Sequence, residues 1–86
     1  MTKGKLDNGF EFEYDESQIN DMRFVDVLAG IEDNPLLFSK AANMMLGKEQ
    51  KERLYKYLED ENGRVSIELF GAAITEIIEK STALKN

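Results

Sequence analysis

The segment from Asp60 to Val65 contains the residue types of a calcium-binding loop: two carboxylates, an amide and a glycine in close succession. An EF-hand loop places an oxygen ligand at its first position, glycine at its sixth and a bidentate Glu at its twelfth. With Gly63 as the sixth residue, Leu58 would be the first and Leu69 the twelfth. Because neither leucine supplies an oxygen, we expect no calcium site here.

The same residues favour a connection between two helices. Asn62-Gly63 is a turn signal that permits positive φ, and Ser66 can cap the helix that follows. Val65 would be an apolar anchor of the turn. We expect Leu58 and Leu69 to pack the helices together on either side of it.

The composition removes most catalytic chemistry. The chain has no Cys, no His and no Trp. Without His it lacks the commonest general base and metal ligand, and without Cys it can form neither a disulfide nor a zinc-thiolate site. The remaining acids of interest, Glu59, Asp60 and Glu61, form a run with no apolar surroundings that would raise a pKa. We therefore predict a protein that is not an enzyme and uses no cofactor and no metal.

Length and hydropathy predict one domain spanning residues 1–86. A chain of 86 residues buries only about 60–65% of its extended surface, so we expect self-association to add stability. Apolar residues make up 42% and charged residues 33%, as in folded globular proteins. No apolar run approaches the roughly 20 residues of a membrane span, and no secretory leader follows Met1. The expected location is the cytoplasm, with no membrane contact.

The net charge of −6 is concentrated near the N-terminus. The segment from Asp7 to Asp33 contains nine acidic residues and one basic residue, Arg23. This segment would repel nucleic acid. We interpret it as a solvated face that keeps the protein soluble; the alternative is an acidic surface that steers towards a basic partner.

A β-hairpin is predicted over residues 2–14. Asn8-Gly9 is a strong hairpin-turn signal, and the segment from Phe10 to Tyr14 alternates aromatic with acidic residues. The aromatic side chains would share one face and can lie on the helices, with the acids facing water. Alternatively, the hairpin pairs its edge with another copy of the chain.

Helices are predicted over most of the remaining chain, about residues 17–83, giving a mainly α fold that is α+β by strict count. Their expected limits are Ser17 to Ala29, Asn34-Pro35 to Gly47, Lys48 to Leu58, and Ser66 to Ala83. The first helix carries two apolar stripes: Ile19, Met22, Val25 and Ala29 on one side, and Phe24, Val27 and Leu28 on another. In the second helix apolar residues cover an arc of roughly 200° at 100° per residue. That helix should lie centrally or contact a neighbour on both sides, and the last helix should carry one apolar stripe from Ile67 to Ile78.

The succession of these segments resembles the small tail assembly chaperones of long-tailed bacteriophages. The resemblance covers nearly the whole chain and consists of short segments and spacings rather than one motif. The segments are Leu6-Asp7-Asn8-Gly9-Phe10, Met22-Arg23-Phe24-Val25-Asp26-Val27-Leu28-Ala29, Asn34-Pro35-Leu36, Met45-Leu46-Gly47-Lys48-Glu49-Gln50 and Asp60-Glu61-Asn62-Gly63-Arg64-Val65, followed by an Ile-rich helix.

This resemblance implies a non-enzymatic phage or prophage protein, made in the bacterial cytoplasm and absent from the mature virion. It would bind the tape measure protein and keep it soluble while the tail tube polymerises. Family members often have a longer, frameshifted form whose extension recruits tail tube protein. This chain would be the short form.

Such a chaperone needs apolar surface for its client, and two helices offer more apolar residues than one packed face uses. The residues that we expect to bind the partner are Phe24, Val27, Leu28, Leu37, Met44 and Met45. The alternative is that these residues belong to the core, as apolar residues at helical spacing commonly do in a small domain. Methionine adapts well to varied surfaces. Charged substitution at Phe24, Leu37 or Met44 is then expected to weaken client binding and leave the protein folded.

Two other functions are compatible with a small acidic helical chain. One is an inhibitory protein that imitates DNA with its carboxylates. The other is a carrier domain like acyl carrier protein, although Ser17 stands in Glu16-Ser17-Gln18 rather than in the Asp-Ser-Leu of that family.

Overall fold

The computed structural model of the protein describes residues 2–80. A two-stranded hairpin precedes the helices, as predicted. The elements are β1 (Thr2–Lys5), β2 (Glu11–Tyr14), α1 (Glu16–Ile19), α2 (Met22–Gly30), α3 (Leu37–Leu58) and α4 (Ile67–Lys80). The mainly α fold with an N-terminal hairpin and about four helices is confirmed. The predicted end of the last helix at Ala83 lies outside the described residues.

Asn8 and Gly9 lie in the turn between β1 and β2, as the sequence predicts. The N–H of Leu6 donates to the carbonyl of Phe10 at 2.8 Å, and the N–H of Gly9 donates to the carbonyl of Leu6 at 2.9 Å. Gly9 has a φ of +99°, which a side chain would disfavour. A turn that closes with a residue at positive φ is a common three-residue hairpin connection.

Side-chain burial alternates along β2, as the sequence predicts. Phe10, Phe12 and Tyr14 are buried, whereas Glu11 is exposed. Lys3 lies opposite Glu13 in the antiparallel register and forms an ion pair with it at 3.6 Å. The aromatic face of the hairpin therefore lies on the core, and its charged face is towards solvent.

The side chain of Gln50 holds the outer edge of β2 against α3. The N–H of Glu13 donates to Oε1 of Gln50 at 2.6 Å, and Nε2 of Gln50 donates back to the carbonyl of Glu13 at 2.6 Å. The same Nε2 also donates to the carbonyl of Leu46 at 2.9 Å. Leu46 precedes Gly47, whose φ of +79° and ψ of 167° interrupt α3 where the sequence predicts a helix end. One amide thus joins the hairpin to this interruption.

Replacing Gln50 with alanine is expected to lower the free energy of unfolding by about 1–3 kcal/mol, because three partly buried backbone groups lose their partner. Glu49, the neighbouring residue, is exposed and offers a control. Glu49→Ala should change the free energy of unfolding by less than about 0.5 kcal/mol. Urea unfolding followed by circular dichroism measures both. Equal stabilities for the two variants would show that the amide does not hold the hairpin.

The prediction of one helix from Ser17 to Ala29 is wrong, since the structure has two. Oδ1 of Asp15 accepts the N–H of Ser17 at 2.9 Å and caps α1, and Oδ1 of Asp21 accepts the N–H of Arg23 at 2.9 Å and caps α2. Oγ of Ser17 also donates to Oδ1 of Asp15 at 2.7 Å, and this bond, together with the one from the N–H of Ser17, lowers the pKa of Asp15 below its ordinary value. A second Asp cap lets the chain end one helix and begin another within a few residues.

The core forms around α3, which packs against α1, α2, α4 and β2. This confirms that the helix with the broad apolar arc is central. Both halves of α3 contribute to the core, through Ala41, Ala42, Met45 and Leu46 before Gly47 and Leu54 after it. From α4 the buried residues include Phe70, Ile74 and Ile77.

The Asp60 turn has the structure of a helix connection. Oδ1 of Asp60 accepts the N–H of Asn62 at 2.8 Å and of Arg64 at 3.1 Å. Gly63 has a φ of +74°, and Oγ of Ser66 accepts the N–H of Leu69 at 3.2 Å. The predicted turn and helix cap are therefore confirmed.

The two leucines beside this turn behave differently. Leu58 is half-buried against the core, as expected, and so is Val65. Leu69 is 54% exposed, so the expectation that it packs the helices together is wrong. Phe70 occupies the packed side of α4, and Leu69 lies about 100° from it around the helix, on the solvent side.

Candidate partner-binding site

An open apolar groove lies between the start of α3 and the start of α4. Its volume is about 380 Å³, within the range of about 300–1,000 Å³ that is typical of ligand sites. The lining residues are Pro35, Leu36, Phe38, Ser39, Tyr55, Val65, Ile67 and Phe70. We call this surface the α3–α4 groove. Seven of its eight residues present apolar or aromatic side chains, so its chemistry is that of a contact surface.

Two large aliphatic side chains stand exposed at the groove. Leu36 is 81% exposed and Ile67 is 76% exposed, more than the other large apolar residues of the described chain. Burying such a side chain fully is worth about 1.5–3 kcal/mol. A partner that covers both would therefore gain a substantial part of a micromolar binding free energy, which is about 8 kcal/mol.

The floor of the groove consists of side chains in mutual contact. The rings of Tyr55 and Phe70 lie 5.2 Å apart, centroid to centroid. Gly71 is buried beneath Phe38, where an added Cβ would lie 3.2 Å from the ring. Nζ of Lys51 donates to Oγ of Ser39 at 2.8 Å and lies 5.5 Å from the centroid of the Tyr55 ring. The groove is consequently open in this structure, over side chains that contact one another.

Local sequence places both exposed residues just after a cap. Oδ1 of Asn34 accepts the N–H of Leu36 at 3.2 Å, and Pro35 begins the turn that leads into α3. The predicted helix start, with Asn34 as cap and Pro35 as first helical residue, is therefore two residues early: α3 begins at Leu37, its cap residue is Leu36, and Asn34 caps the turn before it. Ile67 likewise follows the capping residue Ser66. Polar residues serve these first-turn positions equally well, so the fold itself does not require apolar side chains there.

The six residues predicted to bind a partner do not line this groove. Phe24, Val27 and Met45 are buried, with exposures of 0%, 7% and 2%. Their assignment to an extra, available apolar face is therefore corrected. The remaining three, Leu28, Leu37 and Met44, are half-buried and pack against the core. The reason is that α3 has neighbours on several sides, and these neighbours cover its broad apolar arc.

Sequence reasoning missed the two residues that dominate the groove. The sequence predicts Ile67 in the buried stripe of α4, and this is wrong because the stripe extends one turn beyond the surface that covers it. Leu36 belongs to no stripe. One feature of the sequence could have identified both residues. Leu36 and Ile67 are aliphatic residues directly after a helix-capping segment, a position where burial is not expected.

A second concave surface lies beside the hairpin and the Gly47 interruption, with a volume of about 1,020 Å³. Its charged residues are of both signs, four basic and three acidic: Lys3, Lys5, Lys48, Arg53, Glu11, Glu13 and Glu49. Such mixed charge favours neither a phosphate nor a cation. Of these residues Lys48 and Arg53 are both exposed.

Within residues 2–80 no group of three or more acidic side chains could hold a metal ion. No helix of this range is long and apolar enough to cross a membrane. Of the surfaces described, the α3–α4 groove is thus the one with a definite binding chemistry.

Comparisons of the chain with protein-family models, curated proteins and solved structures found no match.

Proposed function

We propose that this protein is a non-enzymatic tail assembly chaperone of a phage or prophage, which binds the tape measure protein and keeps it soluble. In this proposal it acts in the cytoplasm of the bacterial host as a homo-oligomer, and a longer frameshifted form would recruit tail tube protein. The proposal begins from the resemblance of the sequence segments to that family. The α3–α4 groove supplies a physical basis for the binding step.

The observation that carries the proposal is the exposure of Leu36 and Ile67 beside an open apolar groove. Exposed apolar surface that is concave and rimmed by polar residues is typical of protein interaction sites. An amphipathic client helix can place its apolar side chains in such a groove. The tape measure protein is expected to be long and largely helical, so it offers many segments of this kind.

The charge of the protein supports its proposed role in keeping the tape measure protein soluble. A formal net charge of −6 on 86 residues favours solubility of a complex whose client tends to aggregate. The groove and the charge together suit a protein that covers apolar surface and presents acidic surface to solvent.

Co-expression tests the proposal. A candidate tape measure protein should be mostly insoluble when produced alone, and mostly soluble and co-purifying when produced with this protein. An unrelated acidic protein of similar size is the control for a general effect of co-expression. If the tape measure protein remains insoluble and none co-purifies, the proposed client is wrong.

A further inference from the structure

A second exposed apolar surface runs along α2. Met22 is 68% exposed, Val25 is 39% exposed and Ala29 is also exposed. These residues are three and four apart, so they form one line on the helix surface. We call them the α2 stripe. It lies away from the buried side of the helix, where Phe24 and Val27 pack into the core.

The stripe shows the spacing of a helix-packing seam. Apolar residues at i, i+3 and i+7 are those that one helix presents to another. The small side chain of Ala29 permits close approach at one end, and the flexible side chain of Met22 adapts to different contacts at the other. No described element of this chain covers these three residues.

Acidic residues surround the stripe. Asp26 lies about 40° from Met22 around the helix, Asp21 precedes the helix, and Glu32 and Asp33 follow it. All four are exposed. Arg23 is the one base between Asp7 and Asp33, against nine acids. A partner of the stripe must therefore combine apolar residues with positive charge.

These charges also argue against a second copy of this chain as the occupant. Two stripes packed face to face would bring two acidic surrounds together, which costs free energy through like-charge repulsion. A basic helix gains attraction from the same charges and associates faster.

We propose that the α2 stripe is a docking surface for an amphipathic helix of another protein that carries Lys or Arg beside its apolar seam. This surface is separate from the α3–α4 groove, so it gives the protein two places at which helical partners can bind. It stands independently of the tape measure protein as client.

Calorimetric titration with two synthetic peptides tests the proposal. Both peptides are helices of about 20 residues with the same leucine seam, long enough to be helical on their own. One has lysine at the positions beside the seam and the other has glutamate. The lysine peptide should bind at least tenfold more tightly than the glutamate peptide, and its affinity should fall as salt is raised.

Variants then locate the binding. The double substitution Met22→Ser with Val25→Ser should weaken the lysine peptide at least tenfold, whereas Leu69→Ser, which removes an apolar side chain that is 54% exposed on α4, should not. Because all three residues are exposed, circular dichroism should show intact folds. Loss of binding in Ile67→Asp but not in the double variant would place the peptide in the groove and overturn the proposal.

Two further results would also overturn it. Unchanged binding by both the double variant and Ile67→Asp would mean that the peptide is held by charge alone. A dimer in sedimentation experiments that the double variant converts to a monomer would mean that a second copy occupies the stripe.

Discussion

Replacing Ile67 with aspartate is expected to reduce the amount of client protein that co-purifies at least tenfold and to leave the fold intact. Ile67 is 76% exposed at the α3–α4 groove, and a partner that buries it gains about 1.5–3 kcal/mol. A loss of 1.4 kcal/mol already corresponds to a tenfold weaker complex. The fold should tolerate aspartate, because an acid in the first turn of a helix interacts favourably with the helix dipole.

Leu69 provides the matched control for this substitution. It is 54% exposed, stands two residues further along α4 and does not line the groove. Leu69→Asp removes a similar apolar side chain and adds the same charge, so it should leave co-purification nearly unchanged. Equal losses for the two variants would show that general surface hydrophobicity, and not the groove, holds the client.

Replacing Phe24 with aspartate is expected to unfold the protein. Phe24 is fully buried, and truncating a buried Phe to alanine alone costs about 3–5 kcal/mol. Aspartate adds the cost of placing an unpaired charge in the core. Small domains have about 5–15 kcal/mol of stability in total, so this one substitution removes most or all of it. Circular dichroism should show loss of helix at room temperature.

The adjacent residue gives the comparison. Val25 is 39% exposed on the other side of α2, and Val25→Asp should change the free energy of unfolding by no more than about 0.5 kcal/mol. A folded Phe24→Asp protein that has lost its client would instead support the original interpretation of Phe24 as a binding residue.

These two residues show what the sequence of α2 could and could not establish. The spacing predicted two apolar stripes on one helix, but Ile19 of the first stripe lies in α1 and is fully buried, so only Met22, Val25 and Ala29 of that stripe lie on α2. The spacing could not identify which face was buried, because both fit a helical period and the choice depends on where α3 lies. The larger residue, Phe24, went to the core, and the stripe with Met22 and Val25 became surface. Relative volume favours that outcome, since burying Phe excludes more apolar area from water.

Local signals were more reliable than long-range ones. Gly9, Gly47 and Gly63 all have positive φ, at the turn and helix ends that the sequence predicts. Such positions depend on a few neighbouring residues and on sterics alone. The helix predicted from Ser17 to Ala29 has no break, because Asp21 counts among the nine acids from Asp7 to Asp33 that are interpreted as a solvated face. An Asp before a new apolar stripe is also a cap signal, and Asp21 caps α2.

The spacing of apolar residues along the helices could not predict the α3–α4 groove. It exists because the packed stripe of α4 ends near Phe70 while the helix extends one turn further to Ile67. The same arrangement exposes Leu36 across from it, at the start of α3. Only the relative placement of the two helices reveals that these residues face one space.

Photo-crosslinking in the co-expressed complex would test client binding by the groove without altering its charge. A photoreactive phenylalanine analogue would be placed at residue 67 in one protein and at residue 69 in another. We predict a covalent adduct with the tape measure protein from position 67 and little or none from position 69. No adduct at position 67, or equal adducts at both positions, would contradict client binding through the α3–α4 groove.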